Sequence, residues 1–400
     1  MDIIKRFLNY VSFETTSNDE SDTCPSSDKE ILLLKELQKE LIEIGLDSVY
    51  KDGYTYGKIK SDCNKKDTIF LMAHVDTAPD ASGKDIKPRK VKYTGEDIVL
   101  NERRTLSEKQ FPMLKNHRGN ELIVTDGNTL LGADDKAGVA IIMDTIEKAL
   151  KRGNYPNIIV CFTPDEEIGR GTLHIDTDYI KEGTTKIYAY TLDGDDCRAF
   201  NYECFNANQA KVEIEGTSVH PSIGKNKLVN AQEVFMEFHA LLPLERPENS
   251  EGREPFIHLT NSLGSVENGT YTYIIRNFDR KDLERQNESF YKARDIINNK
   301  YHKDIVKVTI KEQYRNMIEV INKYPYSVDL CHKAYKELDI PCFDMPIRGG
   351  TDGATLSFKG IPCPNLGTGG GNFHGPYEYL DINQMKTMVT IVTKIMDLLD

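Results

Sequence analysis

No apolar stretch among the 400 residues approaches the roughly 18 consecutive positions that a membrane-spanning helix requires. The N-terminal MDIIKRFLNYV carries charges at positions 2, 5 and 6 and has neither an apolar core nor a small-residue cleavage site, so no secretory leader is expected there. Positive charge is also short. The formal net charge of -12 repels a phosphate backbone and an anionic lipid surface alike, which disfavours nucleic acid and membrane as partners. C-x-x-C pairs are missing as well: Cys24, Cys63, Cys161, Cys197, Cys204, Cys331, Cys342 and Cys363 are scattered. Neither a thiolate zinc site nor a disulfide framework is indicated, and a reduced cytoplasm is the expected compartment. Internal repeats and low-complexity tracts are likewise absent.

What is present is the composition of a soluble globular protein, 39% hydrophobic and 28% charged, at a length that favours two domains over one oversized core. DKEILLLKELQKELIEI (28 to 44) has apolar residues at helical spacing and stops at Gly45, a suitable left-handed cap. TIFLMAHVD (68 to 76) reads as a central strand, and a polar, Lys/Arg-rich loop is expected over about 80 to 120. KAGVAIIMDTIEKALKR (136 to 152) reads as a helix, followed by the strands NIIVCF and KIYAYTLDG. Such alternation builds an α/β layer structure.

From about 206 the texture changes. QAKVEIEG, YTYIIRNFD and IVKVTIKEQY alternate like half-exposed strands, with helices at NAQEVFMEFHALL and near 280 to 299 between them. The pattern predicts a β-α-β-α-β domain at 207–318, inserted into a main domain made of 1–206 and 319–400, where helices at 325 to 337 and 382 to 398 resume the first style.

The chemistry-bearing motifs follow strands. In NIIVCFTPDEEIG the acids Asp165, Glu166 and Glu167 stand at a strand exit, where a solvated turn is the bland alternative. In HVD, His74 and Asp76 are two apart, so the carboxylate can reach the imidazole; a carboxylate that holds a metal-bound His is a recurrent device. Paired aspartates in LGADDKAG (131 to 138) also suit plain helix capping. TLDG adds Asp193, and NFHGPYE adds His374 after the glycine run 367 to 371. Together these supply two imidazoles and several carboxylates, a set suited to zinc, with manganese or cobalt able to replace it. Five ligands exceed what one catalytic zinc takes, whereas two ions can share a bridging carboxylate.

HVDT, LLGADDKAG, TPDEEIG, TLDG, GTSVHP, IIRNFDR, PIRGGTDGA and NFHG, in this order and spacing, resemble the M20 dizinc metallopeptidase family. The likeness runs from YVSFETTS (10 to 17) and TCPSS (23 to 27) to the C-terminus, and is strongest to the branch that removes the N-terminal residue from tripeptides. It implies an α/β, mixed-sheet zinc-peptidase catalytic domain with a smaller α+β lid. It also implies two Zn2+ per chain: His74 and Asp193 on one, Glu167 and His374 on the other, Asp134 bridging both, and a cis peptide after Asp134. Glu166 becomes the unligated general base, Asp76 the residue that orients His74, and Asp165 a polar neighbour. His220 of GTSVHP matches a family His that reaches the oxyanion, and Arg276 an Arg that pairs with a substrate carboxylate. Arg280, Arg348, Gly350 and Thr351 are further substrate candidates, the last two through N–H groups at a helix start. With these residues divided between main domain and insert, domain closure over the peptide is expected. His117, His174, His239, His258, His302 and His332 read as ordinary surface or core histidines. The alternatives are another M20-type dipeptidase or N-acyl amino acid amidohydrolase, or a metal-dependent peptide-binding protein without turnover. Some family members pair through the insert, so a homodimer stays among the expected partners.

Overall fold

The first long helix shows how local chemistry sets the boundaries. Ser27 and Glu30 form a reciprocal capping box, Leu33, Leu34, Leu37 and Leu41 are buried along one stripe of Asp28–Ile44, and Gly45, at φ 108°, ends it in the left-handed conformation. The computed structural model describes residues 1–400. It separates into one unit of Met1–Tyr202, Met317–Met345 and Thr351–Asp400, and a second of Glu203–Asn316 and Pro346–Gly350. The short segment Pro346–Gly350, which the sequence reading left in the main domain, thus groups with the insert.

The first unit is built on an eight-stranded mixed sheet in the order Asp47–Lys51, Tyr54–Ile59, Asn157–Thr163, Thr68–His74, Ile187–Leu192, Asn365–Leu366, Ala199–Asn201, Phe343–Asp344. Its three central strands, Asn157–Thr163, Thr68–His74 and Ile187–Leu192, are mutually parallel, with His74 opposite Thr163. They are apolar almost throughout because layers cover both faces, and every residue of Thr68–His74 is buried. Parallel pairing brings all three carboxyl ends to one edge, from which HVD, the PDEE turn and Asp193 emerge. The helix Ala133–Arg152 packs against Thr68–His74. It leaves helical geometry at Asp134 and Asp135, whose connecting peptide is cis, so the regular helix starts where the sequence pattern places it.

The stretch 80 to 120 is not one irregular loop, which corrects the expectation. It contains the strand Arg89–Lys92, the small hairpin Ile98–Val99 with Thr105–Leu106, and the 3-10 turn Pro112–His117. Arg89–Lys92 joins a second sheet with Glu121–Val124, Tyr379–Asp381 and Gly370–Gly371. Tyr93, Ile98, Leu100, Leu106 and Leu114 meet Leu122, Val124 and Tyr379 in a core of their own. Single apolar residues dispersed among lysines and arginines have no period, so their convergence is invisible to a pattern reading. His117 is a core histidine, with Nδ1 2.8 Å from Asp381 and Nε2 3.1 Å from the Tyr379 hydroxyl.

The second unit is a four-stranded antiparallel sheet in the order Phe256–Gly264, Asn268–Asn277, Asn206–Glu215, Val306–Tyr314, with the helices Ala231–Ala240 and Arg280–Tyr301 packed on it. The expected β-α-β-α-β order omits Phe256–Gly264. That strand lies at the sheet edge with only Ile257 buried, so it lacks the alternation that marks its neighbour Asn268–Asn277. No helix of the chain is long and apolar enough to cross a membrane.

Candidate metal centre

Asp76 organises the site. Its carboxylate lies 3.2 Å from His74 Nδ1, and its two oxygens accept from the amides of Glu166 (3.0 Å) and Glu167 (3.1 Å). One buried carboxylate therefore orients the imidazole and pins the turn that delivers both acids. A further buried acid, Asp165, holds that turn from behind: it sits at φ 56°, both its carboxylate oxygens accept from Ser26 N at 2.9 Å, and its amide donates to Glu30. The capping Glu30 of the first long helix is thus also a support of the PDEE turn, and burial together with the charges of Asp76 and Asp165 pushes it up to about 10.

Asp134 stands between the two histidines. Its Oδ1 is 2.9 Å from His74 Nε2 and its Oδ2 is 3.3 Å from His374 Nε2. His374 Nε2 also lies 2.9 Å from Glu167 Oε2, and His74 Nε2 lies 4.0 Å from Asp193 Oδ1. Ligand-capable atoms of His74, Asp134 and Glu167 lie within 4.8 Å of one another, as do those of His74, Glu166 and Asp193. The structure therefore brings together all five sequence-chosen donors, and Glu166 beside them.

The electrostatics follow from crowding acids in a dry place. Burial opposes the charge on His74, yet its hydrogen bonds to Asp134 and Asp76 carry its pKa well above the ordinary imidazole value. His374 is raised to about 11 by its hydrogen bonds to Asp134 and Glu167. Asp134 is buried, which works to raise it, but the two imidazoles hold it below the usual carboxylate range. Burial, reinforced by the charge of Asp134, pushes Glu167 up to about 7 and Asp193 up to about 6. Glu166 is driven well above its ordinary value by burial and then by Asp193. Such a cluster has an excess of negative charge that a multivalent cation relieves. The buried Glu167 Oε1 has no hydrogen-bond partner, an orphaned acceptor of the kind a cation satisfies. Two imidazoles and three carboxylates fit zinc, manganese or cobalt.

Two contributors escaped the sequence reading although their motifs were noticed. Glu378, the last residue of NFHGPYE, is buried, and its carboxylate accepts from the amides of Leu131 (2.6 Å), Gly132 (2.9 Å) and Asp134 (3.1 Å). Asp352, in GGTDGA, accepts from Thr163 Oγ1 at 2.7 Å, and burial raises it to about 7. An acid placed within a glycine-rich motif was the available signal. Nothing local distinguishes it from a helix cap.

The substrate candidates are described unit by unit. In the second unit, His220 is exposed, with Nδ1 2.7 Å from Ser222 Oγ. Arg276 stacks its guanidinium over Tyr314 and donates to Asn208 O, and Gly350 lies against the same ring, where a Cβ would come within 2.9 Å. Arg280 is 3.6 Å from Glu284. Arg348 donates to the carbonyls of Gly252 and Glu254 and to Ser250 Oγ, so its fork is occupied in bracing a loop. In the first unit, Thr351 caps Asp352–Phe358 by accepting from Ala354 N, and its hydroxyl also meets Asn365.

A parallel-centred sheet whose strand ends gather acids and imidazoles around a shared aspartate defines a metal-dependent hydrolase. The chain belongs to Peptidase family M20/M25/M40, whose model matches residues 124–398. It is 44% identical to a "Peptidase T" of Caldanaerobacter subterraneus subsp. tengcongensis, over 99% of this chain and 98% of that relative. Among solved structures it is similar to the aminopeptidase PepT of Bacillus cereus (TM-score 0.78, 20% identity, 99% of this chain and 97% of that one). A tripeptidase of Staphylococcus aureus gives the same TM-score, 0.78, at 18% identity and with 99% and 97% covered. A Bacillus subtilis protein described as a dinuclear metal binding peptidase from the M20 family gives 0.67 at 13% identity, again with 99% and 97% covered. The family is metal-dependent, and the chain shares its fold.

Proposed function

We propose that the chain is a tripeptide aminopeptidase that hydrolyses the first peptide bond of its substrate with two bound divalent cations, zinc foremost, with manganese or cobalt as substitutes. The observation that carries this reading is Asp134, whose two carboxylate oxygens face two different imidazoles. His74 and Asp193 with Asp134 would hold one cation, and Glu167 and His374 with Asp134 the other. When bound, such cations polarise the scissile carbonyl and lower the pKa of water towards about 7.

The remaining work belongs to side chains. Glu166 takes a proton from the attacking water on its carboxylate and returns it to the departing amine. Its amide is tied to Asp76, so the carboxylate keeps its place through both transfers. Asp76 also faces His74 Nδ1, which leaves Nε2 for ligation. Glu378 holds the backbone from Leu131 to Asp134 and so aims the shared aspartate. Arg276, a planar fork, would pair with a substrate carboxylate, and His220 would donate to the developing oxyanion. Arg280, Arg348, Gly350 and Thr351 would serve the substrate less directly, since Arg348 and Thr351 already have local partners. Preference for tripeptides and for the amino end follows the relative named Peptidase T together with the similar structures described as an aminopeptidase PepT and a tripeptidase.

A peptide-length panel on metal-replete enzyme is the test. The first residue should leave tripeptides, while dipeptides and N-acyl amino acids stay intact. Cleavage of dipeptides, or release from the carboxyl end, would move the activity to a different branch. Glu166→Gln should lower kcat by about 10²–10⁴-fold with metal content unchanged. Wild-type turnover in that variant would remove Glu166 from the role of base.

A further inference from the structure

The absence of C-x-x-C pairs argues against a thiolate zinc site on grounds of spacing alone, and the fold supplies the proximity that spacing lacks. His332 lies on the helix Tyr326–Glu337, and Cys342 and Asp344 lie at the outer edge of the eight-stranded sheet, where Phe343–Asp344 is the last strand. Their ligand-capable atoms are all within 4.8 Å of one another. We propose that His332, Cys342 and Asp344 form a site for zinc or another thiophilic divalent cation, sharing no residue with the cluster around Asp134.

The donors are held in place by the packing. Asp344 is in register with Phe200 on the neighbouring strand Ala199–Asn201, and Met345 N donates to Phe200 O at 3.0 Å just beyond it. The Tyr202 hydroxyl donates to Asp344 Oδ2 at 2.8 Å, which turns Oδ1 towards His332 Nε2, 2.7 Å away. Phe200 and Tyr202 meet the His332 ring edge to face at 5.4 and 6.2 Å, which sets its orientation. Cys342 and Asp344, two apart on extended chain, point to one side of the sheet edge. A carboxylate oriented by a hydroxyl, an imidazole packed against a pair of aromatic rings and a convergent thiol make the supported donor set that metal sites require.

The dimensions suit a tetrahedral ion. Zinc bonds of about 2.0–2.3 Å separate donors by roughly 3.3–3.7 Å, so each side chain needs to shift by no more than about an ångström. His332 and Asp344 are 38% and 47% exposed, which permits that shift and leaves a fourth position to water. One nitrogen, one sulfur and one oxygen favour zinc over calcium or magnesium, which take oxygen alone. Burial and the charge of Asp344 push the Cys342 thiol up to about 12, so it carries its proton at neutral pH. On ligation the S–H bond breaks, the sulfur keeps the electron pair for the metal, and the proton passes to solvent.

Cobalt substitution of the whole enzyme, kept reduced by a phosphine, distinguishes this site from the cluster around Asp134, which has no sulfur donor, and Cys342→Ser distinguishes it from the other cysteines. The expected result is a near-ultraviolet thiolate-to-cobalt charge-transfer band, absent from Cys342→Ser, with peptide hydrolysis by that variant unchanged. His332→Ala and Asp344→Asn keep the thiol and should need at least about tenfold more cobalt to develop the band. No band at saturating cobalt, a band that survives Cys342→Ser, or an unchanged cobalt requirement in both other variants would overturn the proposal. None of these results depends on which peptides the enzyme cuts.

Discussion

Asp76 has three partners for one carboxylate: His74 Nδ1 and the amides of Glu166 and Glu167. An amide in its place keeps only one acceptor oxygen, so Asp76→Asn must abandon either the imidazole or part of the turn. Metal affinity should fall by about 10–100-fold and kcat with it, measured by metal content after dialysis and by steady-state kinetics. Protonation is the second residue-scale lever. Glu167 and Asp193, raised to about 7 and about 6, bind protons more tightly in the folded chain than in the unfolded one, so stability falls as pH rises from the ordinary carboxylate range through those values. His374, raised from 6.5 to about 11, contributes stability that is full below 6.5 and is lost as pH rises towards about 11. Asp134 has a lowered pKa and works in the other direction, losing its contribution only in acid. Chelator-treated protein should therefore melt at falling temperature from about pH 5 upward, whereas metal-loaded protein should show a flatter profile because cations replace protons as counter-charge. A rising profile for the chelated protein would refute the assignment of these shifts.

At the scale of elements, the helix Ala133–Arg152 is seated so closely on its sheet that a Cβ on Gly138 would come within 2.0 Å of Leu192 O and 2.5 Å of the Asp135 carboxylate. Gly138→Ala must push the helix off the strand that carries Asp193, at a cost of about 1–3 kcal/mol, visible in denaturant unfolding, and with weaker metal retention. A milder effect is expected at Ser27→Ala, about 1 kcal/mol from loss of the capping box. The helix Asp28–Ile44 and the central strands were legible because their apolar spacing repeats over many residues and their ends carry caps. The edge strand Phe256–Gly264 was not, since a strand that buries one residue has no pattern to read. Nor was the fold of 80 to 120, where Tyr93, Leu106 and Leu114 share a core with Leu122, Val124 and the distant Tyr379.

For the whole molecule, the net charge of -12 and the acid-rich centre make bound cations a source of stability as well as of chemistry. Free zinc at 100 times its dissociation constant should add about 2.7 kcal/mol, seen as a melting temperature that climbs with zinc concentration and returns to its starting value on chelation. The members of the candidate centre could be named because their motifs, in order and spacing, resemble those of the M20 family, and because His74 ends a strand while Glu166, Glu167 and Asp193 follow one. His74, Asp134, Glu166, Glu167, Asp193 and His374 could all be named without coordinates.

What the chain's order of residues determined, then, was the set of available donors and the elements that carry them. Tertiary structure alone decided which atoms face one another: that Asp134 turns one oxygen to each histidine, that Asp76 holds the acid turn, that Glu378 braces the loop, and that His332, Cys342 and Asp344 meet at the sheet edge. Periodicity reports how a residue relates to neighbours a turn or a pleat away. Partners distant in sequence are set by strand register and helix seating, which depend on the packing of the folded chain.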